Sequence, residues 1–411
     1  MALYIIDGMK KSKHTFFYVY GIIIFLTMCS TMNLSFTWAV PMSVAMTIGL
    51  FFSIIFMLSS NDLQKNVSNF KLCTVLGILC FFLICISPNT GVGILKYFSL
   101  WLCSTSIIFL SMERKCDLLS IFTKGTALII VISLPAWILY LTGVPLPHDD
   151  TILFENGFHV LTDYHFFLLN GFPGDKVFPR FASMFLEPGQ LATPCAFLIF
   201  ANNCNFRKKE VIILLVAVLF SFSLIGYGLL ICGFLLHSLL LSKKYRILKS
   251  AFFIFFISTV TVLSIQTEED NPLYALIISR LELDEEKGIV GNNRTTDFFD
   301  IKFDKLMASS DKYWGIASEI DADNNWTSNT SGLKKFIVMY GLIGLFLLFF
   351  FLLLLFRSNM CTYSWVFFVV LIVGFIPRSM LTSPYWLYII LVGFPVLKWR
   401  SSNMLRLQQA Y

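Results

Sequence analysis

Residues 180–194, RFASMFLEPGQLATP, set an arginine, a glutamate and two prolines at the mouth of a run that otherwise reads as lipid-facing. Ionised groups this close to hydrocarbon are costly unless they pair or face a wet cavity, and charge in such a position marks a functional site by default. Glu187 could take or orient a hydroxyl proton, and Arg180, the nearest candidate partner, could hold an anionic group in its planar fork. The bland alternative is an arginine that snorkels to the interface and a glutamate that only caps a helix. Proline is favoured in the first turn of a helix, where its missing N–H leaves nothing unpaired, so the preferred geometry starts a span at Pro188 with Glu187 just ahead of it. In the other geometry the helix starts near Arg180 and Glu187 lies deeper on nearly the same face.

The elements that position these groups follow from composition. The chain has 411 residues, is 57% hydrophobic and only 14% charged, far more apolar side chain than one soluble core could hide. It reads as an all-α integral membrane protein, because helices of roughly 17–25 apolar residues satisfy their own backbone across the bilayer. Spans are expected near 16–34, 36–58, 70–87, 92–112, 125–143, 185–202, 210–224, 226–241, 250–266, 336–356, 363–377 and 384–397, about twelve transmembrane helices in all. Lysine and arginine gather in the loops of one side of this topology, which marks that side and both termini as cytoplasmic. The same charge pattern breaks 210–241 into two short spans joined at Ser223 to Gly228 rather than one long helix. The first span follows Lys10, Lys11 and Lys13 but lacks a small-residue cleavage site, so it is expected to stay.

Five segments result: 1–143 with the first five spans, 144–184 as a first large periplasmic loop, 185–266 with spans six to nine, 267–335 as a second large periplasmic loop, and 336–411 with the last three spans and a cytoplasmic tail. The two loops are expected to form a folded cap carrying short helices, since they hold Phe158, Tyr164, Phe166, Trp314 and Trp326. In the second, NPLYALIISRLELDEEKG and RTTDFFDIKFDKLM read as two such helices, the latter with Phe298, Phe299, Phe303 and Leu306 near helical spacing.

The net charge of +6 reflects membrane orientation, and nothing resembles a nucleic-acid patch. None of the cysteines falls in an outer loop, and they show neither a disulfide framework nor metal-ligand spacing. Trp38, Trp386 and Trp399 fall near span ends and read as interfacial anchors. Asp321 and Asp323 spell a DxD, but no nucleotide-binding domain accompanies them. His159, Asp163 and His165 could ligate zinc, although two loop histidines are more often solvated. No metal and no cofactor is expected.

Arg180, Phe185, Glu187, Pro188 and Gly189, as Arg-x-x-x-x-Phe-x-Glu-Pro-Gly opening a middle span, resemble the signature of bacterial O-antigen polymerases, members of a superfamily shared with the O-antigen ligases. The resemblance continues through Ser221 and Ser223 at an outer turn, Arg294, the stretch Tyr313, Trp314, Gly315, and Thr330, Ser331 followed by Gly341 and Gly344. It covers roughly 180–345 and extends to a similar layout of about twelve spans. Ligases of the superfamily typically carry histidine where this chain has Thr330, which favours the polymerase.

The resemblance implies a multi-pass protein of the bacterial inner membrane whose active site faces the periplasm. Its expected reaction joins undecaprenyl-diphosphate-linked oligosaccharides: the growing chain on lipid diphosphate is the donor, a sugar hydroxyl of one lipid-linked repeat the acceptor. Partners implied are those lipid-linked sugars, membrane lipids and a polysaccharide chain-length regulator, with no nucleic acid. Charge grows on the leaving diphosphate, so cations must face it. Arg180 and Arg294 are expected to bind it, with Arg280, Arg378 and Lys96 as further candidates and Thr330 and Ser331 beside them; Glu187 activates or orients the hydroxyl. Ligase activity is the alternative. A lipid-linked oligosaccharide flippase is a weaker one, for it predicts internal repeats and small outer loops.

Overall fold

The computed structural model of the chain describes residues 2–60, 63–64, 66–87, 91–153, 160–171, 179–241, 283–284, 288–289, 297–317, 332–378 and 382–409. Helices dominate: α1 (Ala2–Thr31), α2 (Met42–Ser59), α3 (Val67–Ile86), α4 (Gly91–Phe109), α5 (Met112–Leu141), α6 (Pro188–Ala201), α7 (Lys209–Phe220), α8 (Leu224–Leu241), α9 (Asp297–Ala308), α10 (Leu333–Ser358), α11 (Thr362–Phe375) and α12 (Pro384–Gln409). Among the described residues, α2, α3, α5 and α10 are long and apolar enough to cross a membrane, and shorter apolar helices, α6 and α11 among them, pack beside them. The chain is a helical membrane protein. Exposed Phe51, Phe81, Leu128 and Phe346 lie on the faces a bilayer would cover.

α6 and α12 form the centre. Every residue of α6 is buried, and Tyr385, Trp386, Tyr388 and Phe394 of α12 are fully buried. A helix apolar all round is what the core of a bundle requires. Trp386, expected at an interface, therefore packs edge-on against Phe197 at 5.1 Å between ring centres. Its sequence position near a helix start reveals nothing of the neighbours that wrap it.

Several boundaries differ from expectation. α5 starts at Met112, well ahead of 125, where Ser111 caps the helix by accepting from the Arg114 N–H. Glu113, Arg114, Lys115 and Asp117 mask this first stretch in a hydropathy reading, yet a helix can project beyond the hydrocarbon. The break inside 210–241 is present but earlier than the expected Ser223 to Gly228: α7 and α8 meet at Ser221–Ser223, with Phe222 at φ 45°, and α8 is already helical from Leu224. The expected span at 250–266 lies outside the described residues.

Residues 144–184, expected to form the first large loop, carry strands where short helices were expected. β1 (Ile152–Leu153), β2 (Val160–Asp163) and β3 (Leu168–Asn170) form an antiparallel sheet in that order. Strands this short display no alternation that a periodicity reading could detect. The turn between β2 and β3 is packed against the bundle: Tyr164 stacks on Phe167 at 4.8 Å, and both rings meet Tyr140 at the end of α5. Phe166, by contrast, is exposed.

In the segment 267–335, expected to form the second large loop, α9 forms as expected. Phe299 and Leu306 are buried with Ile316 and Val338, Phe303 is packed against them, and Phe298 faces outward. Most of the other expected helix lies outside the described residues, but its end is extended: β4 (Leu283–Asp284) pairs with β5 (Gly288–Ile289). Phe158 and Trp326 also lie outside.

Candidate functional site

The stretch Glu187, Pro188, Gly189 has a separate physical reason at each position. Pro188 is the first residue of α6, and Glu187 ahead of it is extended, at φ −140° and ψ 146°. The Glu187 side chain makes no capping bond to α6; its carboxylate takes an ion pair from Arg378. Gly189 makes that pair sterically possible. A Cβ there would stand 2.7 Å from Nη2 and 3.1 Å from Cζ of Arg378, so the guanidinium lies across bare backbone.

Arg378 comes from the segment just after α11, and α10 fixes its approach. The Leu333 N–H donates to the Ile376 carbonyl at 3.0 Å. Gly332, at φ 95°, lies so close that a Cβ would meet the Ile376 and Pro377 carbonyls at 2.7 and 3.2 Å; glycine alone adopts this backbone without strain. The arginine side chain is 9% exposed and the glutamate 25%. A pair this enclosed is expensive to break from one side, about 3–5 kcal/mol, because the surviving charge stays desolvated.

Beside the pair lies a cavity of about 390 Å³ whose lining includes Lys96, Lys335, Arg378, Gln190 and Tyr340. Three cationic side chains thus face one space. Arg378 Nε and Gln190 Oε1 are buried there without a hydrogen-bond partner among the described residues, an arrangement that waits for an acceptor and a donor from a ligand. The Tyr340 hydroxyl meets that of Tyr97 at 2.5 Å, and the Lys96 ammonium sits 5.3 Å from the Tyr97 ring centre. Met46, Phe336 and Met339 supply apolar wall, while Thr31, Asn33, Thr382 and Ser383 add polar groups. The space suits an anionic group attached to something greasy.

Tyr340 owes its place to a break in α10. Gly341 has φ 65° and ψ −177° inside the helix. A Cβ on it would strike the Tyr313 carbonyl, and one on Gly315, at φ 79°, would stand 2.7 Å from the Gly341 nitrogen. Two separate pieces of the resemblance, Tyr313 to Gly315 and Gly341, are thereby in backbone contact.

Of the residues expected at a site, Arg378 and Lys96 line this cavity, and Glu187 adjoins it through its ion pair with Arg378 without lining it. Arg180 is half-buried at the end of the first outer segment and is absent from the cavity lining; next to it, the Phe181 N–H donates to the Phe220 carbonyl at 3.1 Å, which ties this stretch to the Ser221 turn. Arg280, Arg294, Thr330 and Ser331 lie outside the described residues, as do Asp321, Asp323 and His159, although Gly332, directly after Ser331, lines the cavity. Asp163 accepts from the His165 N–H at 2.7 Å, and its carboxyl is raised above the usual range by burial, with that bond pulling the other way. Among the described residues no cluster of three or more His, Cys, Asp and Glu could hold a metal.

Lys335, Gln190 and Tyr340 escaped the sequence reading. The first had a signal: adjacent lysines at a helix start point about 100° apart, so the two cannot share one fate. Lys334 faces outward and pairs with Asp300 at 2.6 Å, which leaves Lys335 to the cavity. No family model, curated protein or solved structure matches the chain significantly.

Proposed function

We propose that the chain is a glycosyltransferase that polymerises undecaprenyl-diphosphate-linked oligosaccharide repeats into O-antigen at the periplasmic face of the bacterial inner membrane. The observation that carries this reading is the convergence of Lys96, Lys335 and Arg378 on one cavity beside Glu187. A lipid diphosphate has the matching form, a compact multiple anion joined to an apolar chain. The sequence signature supports the same class of reaction.

In the proposed step an acceptor sugar hydroxyl attacks the anomeric carbon of the donor glycan. The bond from that carbon to the diphosphate oxygen breaks, and its electron pair leaves with the diphosphate, whose charge Lys96, Lys335 and Arg378 neutralise. The hydroxyl proton passes to Glu187, the carboxylate with an exposed edge, and from there to water. Glu187 has a second task, to hold the Arg378 guanidinium in place. Arg180 and Arg294 remain candidates for additional diphosphate contacts, and Arg280, Thr330 and Ser331 for further substrate contacts.

The test is complementation of a gene deletion, read as lipopolysaccharide on a gel. Loss of the polymerase leaves core plus a single repeat; loss of a ligase leaves bare core while lipid-linked polymer accumulates; loss of a flippase blocks export of every repeat. Arg378→Ala and Glu187→Ala are expected to insert normally and leave single repeats. Glu187→Gln separates the two tasks: the amide can still accept from Arg378 but takes no proton, so full-length polymer from it confines Glu187 to positioning. Full-length polymer from Arg378→Ala would remove that arginine from the reaction.

A further inference from the structure

At the end of the bundle away from Glu187 there is a second cavity, of about 430 Å³, between the starts of α3 and α5 and the ends of α4, α10 and α12. Along α10 the first cavity meets residues 335–340 and the second Leu355 and Ser358, a separation of roughly 30 Å at 1.5 Å per residue. The two spaces are distinct, and the second plays no part in the glycosyl-transfer reading.

Its lining carries two ammonium groups, Lys115 and Lys398, and no carboxylate among the described lining residues. Lys115 is 4% exposed, deep burial for a charge. Its ammonium donates to the Ile108 carbonyl at 2.8 Å, and that of Lys398 to the Ser358 carbonyl at 2.7 Å. Both acceptors lie at helix C-terminal ends, where a cation complements the unpaired carbonyls. That explains why lysines are tolerated here, but it occupies one N–H of each ammonium, which has three. One enclosed ammonium, Lys115, and an exposed one, Lys398, face this space with only neutral acceptors, and the enclosed charge calls for an anion.

The surroundings say which anion. Ser68, Asn69 and Asn403 add hydroxyl and amide groups around the same space, while Leu72 and Leu391 supply apolar wall. Lysine binds phosphate as a point charge, and a phosphate presents several strong acceptor oxygens to donors that arrive from different directions. Phosphate is also the group a bilayer holds at the depth of helix ends. We infer that this cavity is a binding site for a phosphate group, carried on a membrane phospholipid or free, held between Lys115 and Lys398.

The purified full-length chain in detergent is titrated by native mass spectrometry with phosphatidylglycerol, with diacylglycerol of the same acyl chains, and with inorganic phosphate. Phosphatidylglycerol is expected to be retained under activation that strips diacylglycerol. Lys398→Ala, at an exposed position that leaves the fold intact, and Lys115→Met, which keeps the buried stem, should each weaken the phosphate-bearing ligand about tenfold, the loss of one charge-assisted hydrogen bond. Lys334→Ala, at an exposed pair at the other end, should change nothing. Lysine-dependent retention of the lipid, with inorganic phosphate unable to compete, supports the site with a lipid source; lysine-dependent binding of inorganic phosphate supports it with a soluble one. Equal retention of diacylglycerol and phosphatidylglycerol overturns the inference, as does unchanged affinity for both phosphate ligands in folded Lys398→Ala.

Discussion

The two ends of the bundle solve the problem of buried positive charge in different ways. At one end Arg378 is matched by the Glu187 carboxylate, with Lys96 and Lys335 facing the same space. At the other, buried Lys115 and exposed Lys398 rest on helix-end carbonyls, and no carboxylate lines the cavity among the described residues. The same helices α4, α10 and α12 contribute to both. Positive charge is thus no discriminator between a site that holds an anion and one that could transform it. The carboxylate is, because proton transfer requires an acceptor and neutral carbonyls are too weak to serve.

The largest expected effect sharpens this contrast. Arg378→Ala strands a mostly enclosed Glu187 and should cost about 3 kcal/mol or more of stability, whereas Glu187→Gln with Arg378→Met removes both charges and should recover about 1–3 kcal/mol of coupling. Thermal unfolding in detergent, followed by tryptophan fluorescence, reads the cycle. Lys398→Ala at the opposite end should stay within about 0.5 kcal/mol, as an exposed position does. Additive behaviour of the Glu187 and Arg378 variants would mean that the pair is no unit and that the two ends differ less than the geometry implies.

The next effect is on rate. Gly189→Ala places a methyl 2.7 Å from Arg378 Nη2, so the guanidinium must move while the helix itself tolerates alanine well. Displacing a charge-stabilising group by about 1 Å can cost about 100-fold, and polymer formed per unit time should fall by about 10- to 100-fold with little change in unfolding temperature. Gly228→Ala is the matched control, since a Cβ there meets nothing within 4 Å. An unchanged rate in Gly189→Ala would detach Arg378 from the chemistry.

What the sequence revealed depended on the range of each signal. Pro188 and Glu187 betray a helix start through local backbone rules, and α6 begins where those rules put it. The ion pair of Glu187 with Arg378 did not follow, because the two are 191 positions apart and no local rule links residues so distant along the chain. Gly189, Gly332 and Gly341 were visible as letters, but their reasons are contacts with Arg378, Ile376 and Tyr313 that only the folded chain displays. The short strands β1 to β3 lacked any period to detect, and α5 hid its charged first turns from hydropathy. The helix at Asp297–Ala308 could be read from the helical spacing of Phe299, Phe303 and Leu306.

A smaller effect tests how the Glu187 end is assembled. Gly341 holds φ 65°, and a Cβ on it would strike the Tyr313 carbonyl, backbone that cannot swing aside. Gly341→Ala should cost about 1–3 kcal/mol and loosen the Tyr340 hydroxyl from Tyr97, whereas the lysine-lined cavity, at the far end of α10, should keep its phosphate affinity. Native mass spectrometry of the variant checks the second half. A loss of phosphate affinity equal to that of Lys398→Ala would couple the two ends through α10 and break the comparison.

The smallest effect concerns the cap over the Glu187 end. Burial raises the Asp163 carboxyl, while the His165 N–H and its ring lower it and Asp149 raises it further. A carboxyl whose folded pKa lies above its unfolded value contributes stability below the unfolded value, and that contribution is lost as pH rises through the folded one. The sheet β1 to β3 should therefore be slightly better protected in mild acid than at neutral pH. Asp163→Asn keeps an acceptor for the His165 N–H and removes the titration, so it should protect the sheet at neutral pH and flatten the profile. Hydrogen exchange of the β2 and β3 amides between pH 7 and about pH 4, the carboxylate range, reads the difference, with α12 amides near Lys398 as the internal reference. A profile as steep in Asp163→Asn as in the parent would remove Asp163 from the pH response.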